Sequence, residues 1–199
     1  IRTEEFQSKM MPTLRIDHQL VPYVLVGVIS PWNFPLALSL IDAVPALLAG
    51  CAVIVKPSEV TPRFVEPLKR AIAVVPELAA VFDIAAGDGR TGAALIGQVD
   101  AICFTGSVAT GRKVAVAAAG HFIPAFLELG GKDPAIILPS ANLEDAADAI
   151  LRGSVVASGQ VCLALERAYV QAAQHDAFVD LLVSKARRVQ LNYPDIDQG

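Results

Sequence analysis

Residues that build metal sites and disulfide frameworks are scarce in this chain. Its three cysteines, Cys51, Cys103 and Cys162, are odd in number, and none belongs to a Cys-x-x-Cys pair. This argues against a disulfide framework or a structural zinc site. The three histidines are scattered and lack the paired spacing typical of metal ligands. We therefore predict no metal, and a reducing cytoplasm as the compartment.

Charged residues are also few, and they include no basic excess. They make up 18% of the chain and leave a formal net charge of −4, so no positive surface for a nucleic-acid backbone is expected. Hydrophobic residues, by contrast, make up 54%, which predicts a globular fold with extensive burial. The longest apolar stretch, residues 36–55, is interrupted by an aspartate, a proline and a glycine. It predicts a buried helix followed by a buried strand, and no membrane span.

Short apolar runs alternate with helix-like segments along most of the chain. The first run, residues 52–55, ends before Pro57, and Thr61 with Pro62 then predicts a helix N-cap and first turn, in a helix that Pro67 is expected to kink or shorten. Helix-like segments beginning at residues 91, 108, 143 and 175 separate further strand-like runs at 82–85, 101–104, 125–129, 135–138 and 168–171. The alternation predicts an α/β fold with a parallel sheet.

Glycine turns follow two of these predicted strands. Gly106 and Ser107 open a predicted helix, where backbone amides can bind a diphosphate. The next glycine, Gly111, is not followed by the lysine of a nucleotide-hydrolysing P-loop, which disfavours a phosphotransferase. Gly87 lies in another tight turn at the carboxyl end of the sheet. Each turn alone also has a structural explanation, because glycine serves positive φ angles and close packing.

Polar residues at two predicted strand ends are candidates for binding or catalysis. Lys56 and Glu59 leave a buried strand at its carboxyl end, where they can bind ribose hydroxyls; the alternative is a solvated strand exit. Glu128 is expected to be surrounded by apolar surface from its neighbours on both sides, which would make it a competent proton acceptor near neutral pH; the alternative is a structural ion pair.

Of the cysteines, one is the better candidate for a reactive thiol. Cys51 and Cys103 lie inside apolar strands and are predicted to be inert packing residues. Cys162 follows Gly159 and Gln160 and has the stronger claim, with a packing role as the alternative.

Taken in order, the motifs closely resemble those of the aldehyde dehydrogenase superfamily over nearly the whole chain. They are PWNFP at 31–35, KPSE at 56–59, FTGS at 104–107, ELGGK at 128–132 and GQVC at 159–162. Five specific motifs in one order make the resemblance highly specific. It implies a Rossmann-like NAD-binding domain over residues 1–128 and the start of a second α/β domain, the catalytic one, over residues 129–199.

The resemblance also implies a cofactor site. The adenine ribose would be held by Lys56 and Glu59, and the diphosphate would lie against Ser107 and Trp32. A carboxylate at position 59 should repel a 2′-phosphate, so NAD is favoured over NADP. The implied cofactor-binding residues are Ile29, Ser30, Pro31, Trp32, Lys56, Ser58, Glu59, Gly87, Gly106, Ser107, Leu129 and Gly130.

The catalytic residues implied by the resemblance are Cys162, Glu128, Asn33 and Lys56. Cys162 would attack the aldehyde, and the Asn33 amide together with the Cys162 backbone N–H would stabilise the oxyanion. Hydride loss would leave a thioester, which water activated by Glu128 would hydrolyse to a carboxylic acid. Members that transfer the acyl group to coenzyme A generally lack this glutamate, so hydrolysis is expected.

Members of the family are far longer than 199 residues, so the chain is expected to correspond to their central part and to need the rest for full activity. We expect the longer protein to be a homo-oligomer that acts on a small-molecule aldehyde. One alternative is a non-catalytic dinucleotide-binding or scaffold protein with the same fold. Another, a cysteine acyl-hydrolase, is disfavoured because no histidine belongs to the motif set.

Overall fold

The structure is a computed structural model and describes residues 2–190. The chain divides into two compact units, the first ending at Glu128 and the second beginning at Leu129. Each unit has its own sheet, its own helices and its own apolar core.

Unit 1 begins with an antiparallel hairpin of β1 (Arg2–Gln7) and β2 (Arg15–Leu20). Most of its described side chains are exposed, Phe6 included, and Arg15 forms an ion pair with Glu5 across the hairpin. Because neither face is buried, the strands lack the alternation of apolar and polar residues that reveals a strand in a sequence. The hairpin was accordingly not predicted.

A five-stranded sheet forms the centre of unit 1. Its strands are β3 (Leu25–Ile29), β4 (Ala52–Lys56), β5 (Phe82–Ile84), β6 (Ala101–Gly106) and β7 (Ala125–Leu129). Their order is β5-β4-β3-β6-β7, with parallel pairing of β3 to β4, β3 to β6 and β4 to β5. The predicted parallel sheet is thus confirmed, although β3 itself was not predicted. The chain order reverses between β3 and β6, so their carboxyl ends border the crevice where such sheets bind ligands.

Helices connect these strands and cover the sheet. They are α1 (Pro35–Leu40), α2 (Ala43–Ala49), α3 (Val65–Ala73), α4 (Pro76–Ala79), α5 (Gly89–Ile96) and α6 (Val108–Gly120). One sheet face carries Val28, Val55 and Ile84, each 1% exposed, against Leu47 of α2 and Leu68 of α3. Burying each such side chain contributes roughly 1.5–3 kcal/mol.

The opposite face of the sheet depends on a glycine in β3. A Cβ atom at Gly27 would lie 2.7 Å from Cδ1 of Ile102 and 3.3 Å from Cγ of Leu95 in α5. The absence of a side chain at Gly27 therefore lets α5 pack closely on β3 and β6.

The segment after β4 differs from its prediction. Residues Pro62–Phe64 form a 3₁₀ turn, and α3 begins only at Val65. Pro67 therefore occupies the first turn of α3, where a backbone N–H has no intrahelical acceptor, and it does not interrupt the helix. The Thr61 hydroxyl caps nothing and instead donates to the Trp32 carbonyl oxygen at 2.9 Å.

The apolar stretch 36–55 folds into α1, α2 and β4. The predicted strand is present, but the helical part is broken in two at Ile41 and Asp42, and Ser39 and Ala43 are its buried helical residues. The prediction of one buried helix was therefore wrong. Among residues 2–190, no helix has both the length and the apolar character needed to cross a membrane.

Unit 2 contains β8 (Asp133–Ile137) paired in parallel with β9 (Leu165–Val170). Its helices are α7 (Leu143–Val155) and α8 (His175–Ala186). The core of this unit includes Phe178, which is 1% exposed. Both predicted strands and both predicted helices are present, with the strand starts shifted by two or three residues.

Candidate active site

Most of the predicted cofactor residues lie at one edge of the unit 1 sheet. Strands β3, β4 and β6 end at Ile29, Lys56 and Gly106, and the ends of parallel strands lie at the same edge. Tertiary structure thus brings together segments 29–32, 56–59 and 106–107, which are distant in sequence.

The end of β3 is held firmly. The backbone N–H of Ser30 donates to the Lys56 carbonyl oxygen at 3.1 Å, and the hydroxyls of Ser30 and Ser39 are hydrogen-bonded at 2.7 Å. Ile29, Ser30 and Ser39 are all buried. These contacts hold the start of the following turn, and Ser39 has no sequence signal that would have identified it.

The turn at residues 31–35 leaves β3 and presents two predicted site residues. Trp32 is 43% exposed, and its carbonyl oxygen accepts the Thr61 hydroxyl. Asn33 is half-buried, and Phe34 adopts a left-handed conformation with φ 48° directly before Pro35. A left-handed bulky residue is unusual, and it marks a backbone held by its surroundings.

The Lys56 side chain is 5% exposed, and its Nζ lies 3.0 Å from Oε2 of Glu59, which is 55% exposed. The backbone N–H of Glu59 and the Lys56 ammonium lower the pKa of the Glu59 carboxyl. Ser58 lies between them and accepts a hydrogen bond from the Val60 N–H at 3.3 Å. This ion pair combines a buried cation with an exposed carboxylate at the carboxyl edge of the sheet.

The two glycine turns have structural reasons of their own. A Cβ atom at Gly87, where φ is 158°, would lie 2.0 Å from Oγ1 of Thr91, and one at Gly106 would lie 2.6 Å from the Phe104 ring. Ser107 caps α6, because its hydroxyl accepts the Thr110 N–H at 3.2 Å. The predicted helix after Gly106 is confirmed, with its amino end at the carboxyl edge of the sheet.

Glu128 lies on β7 and is exposed, so its apolar neighbours do not bury it as the sequence led us to expect. The Ile102 N–H donates to the Pro124 carbonyl oxygen at 3.0 Å, which joins the start of β7 to β6. Asp42, between α1 and α2, interacts electrostatically with both Glu128 and Cys103. Burial, and then the Glu128 carboxylate, raise the pKa of Asp42.

Two of the three cysteines belong to the packed interior of unit 1. Cys51 is buried in its core, and the half-buried Cys103 packs against that core. Burial, followed by the nearby Asp42 carboxylate, raises the pKa of Cys103 to about 11. The Cys103 thiol therefore stays protonated at neutral pH and is a poor nucleophile.

In unit 2, Cys162 is exposed on a turn that the Ala164 N–H closes by donating to the Val161 carbonyl oxygen at 3.1 Å. The connection from β7 to β8 lies beside this turn. A Cβ atom at Gly131 would lie 4.0 Å from the Cys162 carbonyl oxygen, and Lys132 forms an ion pair with Glu166.

Two predicted cofactor residues lie directly before Gly131 in the chain. Leu129 ends β7 and is half-buried, and Gly130 is exposed in the connection to β8. Over residues 2–190, no three histidine, cysteine, aspartate or glutamate side chains are placed to hold a metal ion.

Known proteins resemble both the sequence and the structure. Residues 2–199 match the model of the aldehyde dehydrogenase family. The 4,4'-diapolycopene aldehyde oxidase of Methylomonas sp is 42% identical over 189 residues, which are 94% of this chain and 35% of that protein. A solved structure of PutA from Anabaena variabilis is 58% identical with a TM-score of 0.93, and the match covers 100% of this chain and 42% of that one.

Lactaldehyde dehydrogenase from Escherichia coli gives a further structural match, with 38% identity and a TM-score of 0.82 over 96% of this chain and 40% of that one. The chain thus spans between 35% and 42% of the length of these three proteins. The family match covers nearly every residue, and the unit 1 sheet is the Rossmann-like sheet that the resemblance implied. The chain belongs to the aldehyde dehydrogenase family.

Proposed function

We propose that the protein is an NAD-dependent aldehyde dehydrogenase that oxidises a small-molecule aldehyde to a carboxylic acid. The observation that carries the proposal is the exposed thiol of Cys162 on a hydrogen-bonded turn, in a chain whose other two cysteines belong to the unit 1 core. Residues 1–128 would bind the cofactor and residues 129–199 would begin the catalytic domain. Free cysteines support a reducing, cytoplasmic location.

A dinucleotide suits the residues at the carboxyl edge of unit 1. The Lys56 ammonium has three N–H donors, of which Glu59 accepts one, and ribose hydroxyls would accept others. The amino end of α6, a helix of 13 residues, offers backbone amides and the positive end of its dipole to a diphosphate beside Ser107. When bound, NAD supplies the acceptor for the hydride that leaves the substrate.

Cys162 would carry out the first half of the reaction. Its sulfur, as the thiolate, forms a bond to the aldehyde carbon, and the carbonyl electron pair moves to oxygen. The Asn33 side-chain amide and the Cys162 backbone N–H would donate hydrogen bonds to that oxyanion. When the oxyanion collapses, the C–H bond breaks with its electron pair and an acyl thioester remains on Cys162.

Glu128 would carry out the second half. Its carboxylate takes a proton from water, and the resulting hydroxide adds to the thioester carbon. The C–S bond then breaks, which releases the carboxylic acid and restores the Cys162 thiolate. The exposure of Glu128 in unit 1 supports this role, because water reaches the carboxylate.

Cofactor preference depends on Glu59 in this proposal. A 2′-phosphate near its exposed carboxylate would suffer repulsion, whereas a 2′-hydroxyl could donate to it. Similar structures include one complexed with NAD+ and one complexed with NAP, at 31% and 33% identity. A Glu59→Gln variant should therefore bind NADP more tightly relative to NAD than the unaltered protein does, as measured by fluorescence titration of Trp32.

The test of the reaction follows reduced cofactor after an aldehyde is added to the purified protein with NAD. We expect Cys162→Ala to give no reduced cofactor. Glu128→Gln should give one burst of about one equivalent and then stop, because the thioester forms but is not hydrolysed. Cys103→Ala is the matched control and should behave as the unaltered protein.

The same assay separates the alternative functions. Dinucleotide binding without any reduced cofactor would identify a non-catalytic binding protein. Ester cleavage that is independent of NAD would identify an acyl-hydrolase.

A further inference from the structure

The segment that carries Cys162 is a loop closed at its base by one hydroxyl group. We define the cysteine loop as residues 156–164, between the end of α7 and the start of β9. The hydroxyl of Ser154, in the last turn of α7, lies 2.7 Å from the carbonyl oxygens of both Ile150 and Leu165. Leu165 is the first residue of β9, so Ser154 connects the two ends of the loop.

The β-sheet explains why the Leu165 carbonyl needs a donor from a side chain. The ladder between β8 and β9 is irregular here, because Asp133 pairs with Leu165 but Pro134 pairs with Arg167. Pro134 has no backbone N–H and cannot donate to β9. The part-buried Leu165 carbonyl therefore receives no hydrogen bond from Pro134, and the Ser154 hydroxyl donates one instead.

Gly153, the residue before Ser154, allows α7 to lie close to β9. A Cβ atom at Gly153 would lie 2.8 Å from Cδ1 of Leu165. Only a residue without a side chain lets α7 lie this close to β9 without displacing Leu165. Gly153 and Ser154 therefore form one contact, in which the first residue makes room and the second makes the hydrogen bond.

The backbone inside the loop is strained, so it needs contacts such as the Ser154 hydrogen bond to hold its conformation. Ala157, Ser158 and Gly159 have φ values of 50°, 56° and 73°, three left-handed residues in succession. This conformation is unfavourable for alanine and serine, so it persists only where the surroundings hold it. The loop reaches the Cys162 turn directly after these residues, and any relaxation would change the position of the thiol.

We propose that Ser154 is a positioning residue for Cys162, whose hydroxyl closes the base of the cysteine loop and so maintains the strained backbone that presents the thiol. The inference rests on the proposed role of Cys162 as nucleophile. Ser154 itself would touch neither substrate nor cofactor. Its effect would pass through the Leu165 carbonyl and the loop backbone.

Amide hydrogen exchange tests the closure without reference to activity. In Ser154→Ala we expect exchange to rise about fivefold to tenfold at the Gln160 and Ala164 amides, the effect of losing one typical hydrogen bond. Exchange at the Ala146 amide, which bonds within α7, should not change. Ser154→Thr should restore the protection, because threonine keeps the hydroxyl that donates to the Leu165 carbonyl oxygen.

Ser184→Ala is the matched control, since it is the same substitution in the other helix of unit 2, where the Ser184 hydroxyl accepts from Arg188. Alanine favours a helix more than serine does, so neither variant should unfold for lack of helix propensity. The control should leave exchange in the cysteine loop unchanged.

The aldehyde assay then distinguishes positioning from a general structural role. We expect Ser154→Ala to lower kcat about tenfold with KM for aldehyde and NAD unchanged, and Ser154→Thr to recover most of the rate. Unchanged exchange in the loop, a rise spread over all of unit 2, or an unchanged kcat would each overturn the proposal. An unaltered protein that transfers no hydride would overturn the proposed function first, which is a different result from an active protein indifferent to Ser154.

Discussion

The left-handed backbone before Cys162 predicts that one glycine substitution stabilises the protein while the same substitution nearby destabilises it. Ala157 has φ 50° and ψ 39°, a conformation that is about 1–2 kcal/mol unfavourable for a residue with a Cβ atom. Replacing it with glycine removes that strain but adds freedom to the unfolded chain, a loss of about 0.5–1 kcal/mol. Since the Ala157 methyl group is only half-buried, Ala157→Gly should stabilise unit 2 by roughly 0.5 kcal/mol.

The matched control is Ala149→Gly, at an exposed position inside the regular helix α7. Glycine at that position adds the same freedom to the unfolded chain but relieves no strain in the folded one. We therefore expect destabilisation by about 1 kcal/mol. The two variants should differ by roughly 1.5 kcal/mol in the free energy of unfolding, or about 6–12 °C in the Tm of a unit of this size. Calorimetry that resolves the unfolding of unit 2 would measure this. If Ala157→Gly lost as much stability as Ala149→Gly, the inference of backbone strain would be refuted.

Three further predictions concern unit 1. The folded-state pKa of Asp42 is raised by burial and by Glu128, so its charge destabilises the fold as pH rises above the ordinary aspartate range. In urea unfolding, Asp42→Asn should be more stable than the unaltered protein at pH 7 and equally stable in acid. Glu128→Gln should give a smaller gain in stability at pH 7. The pKa of Glu59 is lowered, first by its own backbone N–H and then by Lys56. The contribution of Glu59 to stability is therefore present at pH values above its unfolded-state pKa and is lost as pH falls through its folded-state pKa. Glu59→Gln should flatten the acid side of the profile of stability against pH, and an unchanged profile would contradict the ion pair. Gly27→Ala should destabilise unit 1 by about 1–3 kcal/mol through overpacking against Ile102, and a neutral effect in thermal unfolding would show that the sheet adjusts freely.

Much of the fold could be predicted because its signals are local. Residues 52–55 and 101–104 are β-branched or apolar runs that end at turn residues, and Ser107 before a helical segment is a typical N-cap. The hairpin β1–β2 was missed because it buries neither face, so nothing in its pattern of apolar residues marks it. The break between α1 and α2 was missed because residues 36–49 are almost continuously apolar and their periodicity does not show where one helix ends.

The candidate site divides in the same way. Cys162 was distinguished from Cys51 and Cys103 by its neighbours alone, since a thiol next to glycine and glutamine differs from one inside an apolar strand. The expected burial of Glu128 was wrong, because apolar neighbours along a strand point to alternate faces and need not enclose the residue between them. The residues next to a position in the sequence do not determine which residues surround it in the folded protein.

By itself, the sequence determined the family, the alternation of strands and helices, and which residue types stand at the ends of those strands, because each depends on the order of nearby residues. Only tertiary structure decided that β3 lies at the centre of the sheet, that Lys56 is buried beside Glu59, and that Ser154 reaches Leu165 eleven residues later. These features depend on contacts between distant segments. Their geometry is set by packing, which no local pattern records.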